Sequence, residues 1–394
     1  MPEPKLELLI RKPGHSGDDF RIMEVPSRQV YAGYRPARIA PGEYESAQEV
    51  SPLDGRKNFM LKAKGSQKYL SLNEREFFIW ELMDGSRSIK EIAAEYFFNY
   101  GGLDLDTIKH LLARLREAGL VEFVPSSRLR VAIDRSTNPV ARFFKMLLDK
   151  LEFRIEDADG WVSSLYDKGG YMLVSRPAML LYIALSALGI AAFGRFEGVA
   201  KFPYRIFLAH PFIMVAAVIL LLYPVAAVHE LFHALACKRY GRKVYAFGLT
   251  FWDGFYPSVY TDVSDIYMAP RLQRIYVSLA GPLSTTALAA MFFFPVAVHP
   301  GASWAEPLYE MGRFTLLLAV IALYPFQFIK MDGYYLLSDL LGIPGLRAKS
   351  FKLIGNLPGF ISAKKTFTAR DVIMLAYFAL SFASTVAFVL YFFL

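Results

Sequence analysis

The segment HELFHA at 229–234 carries the residue types that metal-assisted hydrolysis needs. On a helix, residues four apart share a face, with about 5–6 Å between their Cβ atoms. His229 and His233 can therefore offer two imidazole nitrogens to one ion, and Glu230 can serve as general base towards a water beside it. The ion that suits this set is zinc, Zn2+. H-E-x-x-H recurs by chance, so its setting decides its weight. Two histidines and a glutamate closing a long apolar stretch are expensive near lipid unless they serve chemistry. The plain alternative is that all three are merely solvated at headgroup level.

A catalytic zinc takes a third protein ligand and keeps a fourth position open. Asp332, in IKMDGYYLLSDLLG, is the best candidate, because it follows directly on a short apolar run that must break or end there. Gly333 is then expected to permit the turn.

The elements that must position these residues are membrane helices. The chain has 394 residues, 54% of them hydrophobic and 15% aromatic, and a mean hydropathy of +0.30. That is too apolar for an ordinary soluble protein. Residues 1–160 carry 25 Lys/Arg and 25 Asp/Glu, whereas 161–394 carry 19 against 11, so the whole net charge of +8 lies in the second part. Five uncharged runs occur there, at 177–194, 206–228, 275–298, 314–329 and 372–394. Each approaches the roughly 20 residues a helix needs to cross the hydrocarbon. Lysines and arginines gather in 229–274 and 330–371, while the 299–313 loop holds Glu306 and Glu310 against Arg313. Under the positive-inside rule the two basic segments are cytoplasmic. Five spans then give a cytoplasmic N-terminus and an external C-terminus in an inner or cytoplasmic membrane. The N-terminal stretch has no long apolar core, so no cleaved signal is expected. The lone Cys237 excludes an intramolecular disulfide.

In the water-soluble half, 58–125 reads as an α+β winged helix. NFMLKA and KYLSL suggest two strands, and Asn73 with Glu76 and Ser88 with Glu91 form capping boxes that start two helices. Ile89, Ile92, Ala93 and Tyr96, then Ile108, Leu111, Leu112 and Leu115, repeat at helical spacing. LVEFV is expected to close the domain as a strand. Residues 1–57 form an extension with no readable fold, 126–170 a linker or membrane-surface segment, and 171–394 the membrane-embedded domain. The fold class is an α-helical polytopic membrane protein with an N-terminal winged helix.

Taken together, HELFHA, YPSVYTDVSD at 256–265, SLAGPL at 278–283 and KMDGYYLLSDLLGIP at 330–344 resemble the site-2 protease superfamily. The match is nearest to its branch of peptide zinc metalloproteases, and 58–125 resembles the PqqD-like peptide-clamping domains found in that branch. The resemblance implies zinc held by His229, His233 and Asp332, with Glu230 activating the water. It also implies substrate contacts at Gly281 and Pro282. Where the family carries amide-bearing residues that hold the substrate backbone, this chain has Thr285, Phe326 and Gln327, so Thr285 and Gln327 are the candidates there.

Other residues weigh less. Cys237 lies one turn beyond His233 and reads as a small buried thiol rather than a ligand. Asp262 and Asp265 are either partners that orient the histidines or polar residues of a hairpin. Tyr334 and Tyr335 read as packing aromatics. The expected substrate is a peptide or a membrane-tethered protein, with the bilayer and an exporter as further partners. One alternative is an inactive peptide escort. A membrane-anchored DNA regulator is disfavoured, because residues 1–160 lack the basic footprint that nucleic acid requires.

Overall fold

The computed structural model describes residues 5–11, 20–26, 33–102, 105–122, 153–156, 158–196, 211–252, 256–326, 330–362 and 366–393. It separates into two units, Met1–Val50 with Gly55–Thr137, and Ser51–Asp54 with Asn138–Leu394.

In the first unit, β1 (Lys5–Arg11) and β2 (Phe20–Pro26) form an antiparallel hairpin that the sequence did not suggest. After the short β3 (Ala37–Arg38), strands β4 (Tyr44–Val50), β5 (Lys57–Ala63) and β6 (Tyr69–Asn73) make an antiparallel sheet in that order. Helices α1 (Glu74–Glu81), α2 (Ile89–Tyr100) and α3 (Leu105–Glu117) follow. Both capping boxes are formed. The Glu76 amide donates to Asn73 Oδ1 at 2.9 Å, and the Ser88 amide donates to Glu91 Oε2 at 2.6 Å. The core takes the positions that the helical spacing marks, with Ile89, Ile92, Ile108, Leu111 and Leu115 buried around Trp80. Each such side chain contributes about 1.5–3 kcal/mol on burial. The expected closing strand is only β7 (Val121–Glu122), and it pairs with β3 rather than with β5 or β6. The fold therefore takes in residues 37–50, upstream of the boundary at 58.

The second unit begins earlier than expected. Strand β8 (Phe153–Glu156) and helix α4 (Ala158–Leu165) lie in the stretch read as linker. Asp159 accepts from Lys238 Nζ at 2.8 Å and from the Val244 amide at 2.9 Å, which anchors α4 beside the metal-bearing helix. Helices α5 (Arg176–Phe196), α6 (Pro211–Arg239), α7 (Arg271–Val298), α8 (Ala305–Leu323), α9 (Asp332–Leu341) and α10 (Leu346–Gly355) follow, and Ala369–Phe393 forms α11. Between α6 and α7, β9 (Ala246–Trp252) and β10 (Tyr256–Asp262) make a hairpin; the sheet order is β10-β9-β8, so β10 is an edge. Helix α7 is central and packs against α5, α6, α8 and α9. Gly189 of α5 lets the two backbones meet, because a Cβ there would run into Ala290.

Four described helical stretches are long and apolar enough to cross a membrane: Arg176–Gly194, Ile219–Arg239, Arg271–Val298 and Ala369–Ala387. The expected span at 314–329 is not one helix. Helix α8 begins at Ala305 among Glu306, Glu310 and Arg313, and it ends at Leu323. Helix α9 then starts afresh at Asp332 and runs on to the first turn of α7, where Arg274 Nε donates to Asp339 Oδ1 at 2.9 Å. The two short helices together retrace the length of α7.

Candidate metal centre

The apolar residues from Pro211 onward and HELFHA belong to one helix, α6, which is why both histidines face the same way. Their Nε2 atoms lie 3.1 Å apart. Asp332, the first residue of α9, brings its Oδ2 to 2.9 Å from His229 Nε2 and 3.3 Å from His233 Nε2. Among the described residues, these three form the one group of side chains able to hold a metal, their ligand atoms all within 4.8 Å of one another.

The opposite ring nitrogens settle which atoms face inward. His233 Nδ1 lies 2.7 Å from the Val277 carbonyl, which can only accept, so Nδ1 carries the proton. His229 Nδ1 lies 2.9 Å from Thr285 Oγ1, and that hydroxyl spends its own proton on the Gly281 carbonyl at 3.0 Å. His229 must then donate to it. Both Nε2 atoms thus face a carboxylate oxygen, an arrangement that a proton on an imidazole or a bound cation can satisfy; two imidazoles with one carboxylate suit zinc.

Three residues singled out as substrate contacts lie at or beneath the candidate metal centre, and Thr285 also lines the cavity. Thr285 is 2% exposed and its hydroxyl is committed to His229 and Gly281. Gly281 lies beneath the imidazoles: a Cβ there would run into His233 Nε2 and sit 2.7 Å from His229 Nε2. Pro282 is buried within α7. Gln327 lies outside the described residues. Gly333 also differs from expectation. It is helical, and it is small because a Cβ would collide with the Leu323 carbonyl at the end of α8. Thr285→Val, similar in shape but without an acceptor, should lower metal affinity about 10–100-fold by freeing the His229 tautomer. Competition with a chelator measures this; unchanged affinity would mean something else sets the ring.

Glu230 borders a cavity of about 680 Å³ together with both histidines and Asp332. The Thr261 hydroxyl of β10 donates to the Glu230 carbonyl at 3.2 Å, tying the edge strand to the catalytic turn of α6. Val225, Leu318 and Ile321 line one part of the cavity, and Tyr260, Ser264, Tyr267 and Tyr335 another. Tyr335 and Tyr267 were not marked as functional by the sequence. Tyr334 packs, buried with Ile343, Leu346, Met374 and Tyr377, and Tyr335 packs against the same cluster while also lining the cavity. Its hydroxyl is hydrogen-bonded to Tyr267, whose phenol burial pushes well above its usual range.

The aspartates after α6 do not orient the histidines. Asp265 accepts from the Lys243 amide at 3.0 Å and from the Tyr245 hydroxyl at 3.1 Å, fixing the turn that follows the helix. Asp262 takes the Ser264 hydroxyl at 2.6 Å. Cys237 is buried, its thiol 3.5 Å from the Lys243 carbonyl, and it is not part of the cluster. No curated protein and no solved structure matches the chain. Residues 217–392 match the model of peptidase family M50, so α6 through α11 are similar to that family of zinc metalloproteases, whose members point to a membrane-embedded metallopeptidase.

Proposed function

We propose that this protein is a membrane-embedded zinc endopeptidase that hydrolyses a peptide or a membrane-tethered protein. The observation that carries the reading is the tautomer-locked trio of His229, His233 and Asp332 beside Glu230, in a cavity among apolar helices. When bound there, zinc supplies a Lewis acid that acidifies water and polarises the scissile carbonyl. Glu230 takes the attacking water's proton on its carboxylate and delivers it to the departing amine. Its neighbours are set for this, since α6 fixes its backbone and Thr261 holds its carbonyl. Strand β10 is an edge, and its Val259–Asp262 stretch forms a wall of the cavity. A substrate laid along it in extended form presents its carbonyls to the site, which a helical peptide cannot do.

The purified protein in detergent should hold one zinc per chain. Stripping it with a chelator should abolish cleavage of a quenched-fluorescent unfolded substrate, and added zinc should restore it. Undiminished cleavage by metal-free protein would overturn the reading.

The proposed orientation draws on the charges and on the α8–α9 pair. Taken as one broken crossing, it gives five spans, with the basic segments 229–274 and 330–371 on the cytoplasmic side. Reporters fused at 300–306 or after Leu394 should therefore read external, and those within 345–362 cytoplasmic. A C-terminus on the cytoplasmic side would mean that α8 and α9 enter and leave by the same face.

A further inference from the structure

We propose that Tyr335, held in place by Tyr267, donates the hydrogen bond that stabilises the oxyanion during peptide hydrolysis. The inference rests on the peptidase reading above and adds a catalytic residue to it. Tyr335 stands three residues after Asp332 on α9, so the two share a helix face, and it borders the same cavity as His229 and Glu230. Tyr267 reaches it from the turn Ser264–Met268 after β10, and the two hydroxyls are hydrogen-bonded to each other. Such a pair uses one O–H proton internally and keeps the other for an outside acceptor.

Several other donors on the wall are committed. The Thr285 hydroxyl donates to Gly281, that of Thr261 to Glu230, and that of Ser264 to Asp262. Arg274 is bound to Asp339 and to the Ala269 carbonyl. Lys330 is exposed, with its ammonium 5.9 Å from the Tyr334 ring. A phenol one turn from a candidate metal ligand, oriented by a half-buried second phenol, is preorganised for negative charge that appears only in the transition state.

The step balances as follows. The water oxygen bonds to the carbonyl carbon, its proton passes to Glu230, and the carbonyl π pair moves onto oxygen, where Tyr335 donates its hydrogen bond. That pair then re-forms the double bond, the C–N bond breaks, and Glu230 protonates the amine. Tyr335 keeps its own proton throughout.

Tyr335→Phe should lower kcat about 100-fold, with KM within about twofold and zinc content unchanged. Tyr267→Phe should lower kcat about tenfold, because the donor remains but loses its holder. Tyr171→Phe, which removes an exposed phenol that does not line the cavity, should leave the rate unchanged. A phosphinic peptide, which mimics the tetrahedral anion, should bind Tyr335→Phe about 100-fold more weakly, while an unreactive substrate peptide binds both proteins alike. Parental kcat in zinc-loaded Tyr335→Phe, an equal loss in Tyr171→Phe, or equal weakening of both ligands overturns the assignment. Binding of the phosphinic peptide needs no turnover, so this arm tests the hydrogen bond from Tyr335 separately from the peptidase reading, which fails if the zinc-loaded parent does not cleave.

Discussion

Glu230→Gln should leave one zinc per chain and reduce cleavage by about 10²–10⁴-fold, the range expected for loss of a positioned general base. The amide matches the carboxylate in shape, and Glu230 is not among the three side chains whose ligand atoms cluster. What the variant lacks is a group that can accept a proton from water. Metal analysis and initial rates on the same preparation separate the two effects. Loss of zinc would make Glu230 a ligand, and full activity with zinc retained would assign the base elsewhere.

Gly281→Ala should empty the centre. One methyl group added to α7 points into His233 Nε2 and lies 2.7 Å from His229 Nε2, where the ligand atoms themselves converge. The helix cannot retreat, because α5, α6, α8 and α9 all pack against it. The imidazoles must yield, with a metal affinity lower by more than about 100-fold and about 1–3 kcal/mol of overpacking strain. Gly194→Ala is the matched control, since a Cβ there meets nothing within 4 Å. A zinc titration on both variants, with thermal unfolding alongside, tests the contrast. Normal zinc binding by Gly281→Ala would show that α6 can shift outward.

How far these features could be read from sequence depended on how local they are. His229, Glu230 and His233 share one turn of helix, so spacing alone groups them. Asn73 with Glu76 and Ser88 with Glu91 start helices through contacts that span three residues, and both boxes form where the pattern puts them. Asp332 was reachable because its run was too short and ended in an acid. The Val277 carbonyl, which fixes the His233 tautomer, has no sequence signature, since every residue owns a carbonyl. Tyr335 was indistinguishable from Tyr334 in a Tyr-Tyr pair; both pack on one cluster, and only the phase of α9 lets Tyr335 line the cavity as well. Strands β3 and β7 pair across more than eighty residues through two register positions, too few for a pattern. The break between α8 and α9 was hidden because apolar composition continues across it while the helix does not.

The ligands come from places 103 residues apart in the chain. During synthesis the histidine pair emerges and can insert long before Asp332 exists, and Asp332 reaches its depth only when Gly333 seats against the end of α8. A ribosome-bound chain that stops short of α9 therefore carries the base and two imidazoles yet has no complete metal site. On the peptidase reading proposed above, hydrolytic competence would arrive only with the α8–α9 pair, and protein built no further than α8 could not cut its neighbours.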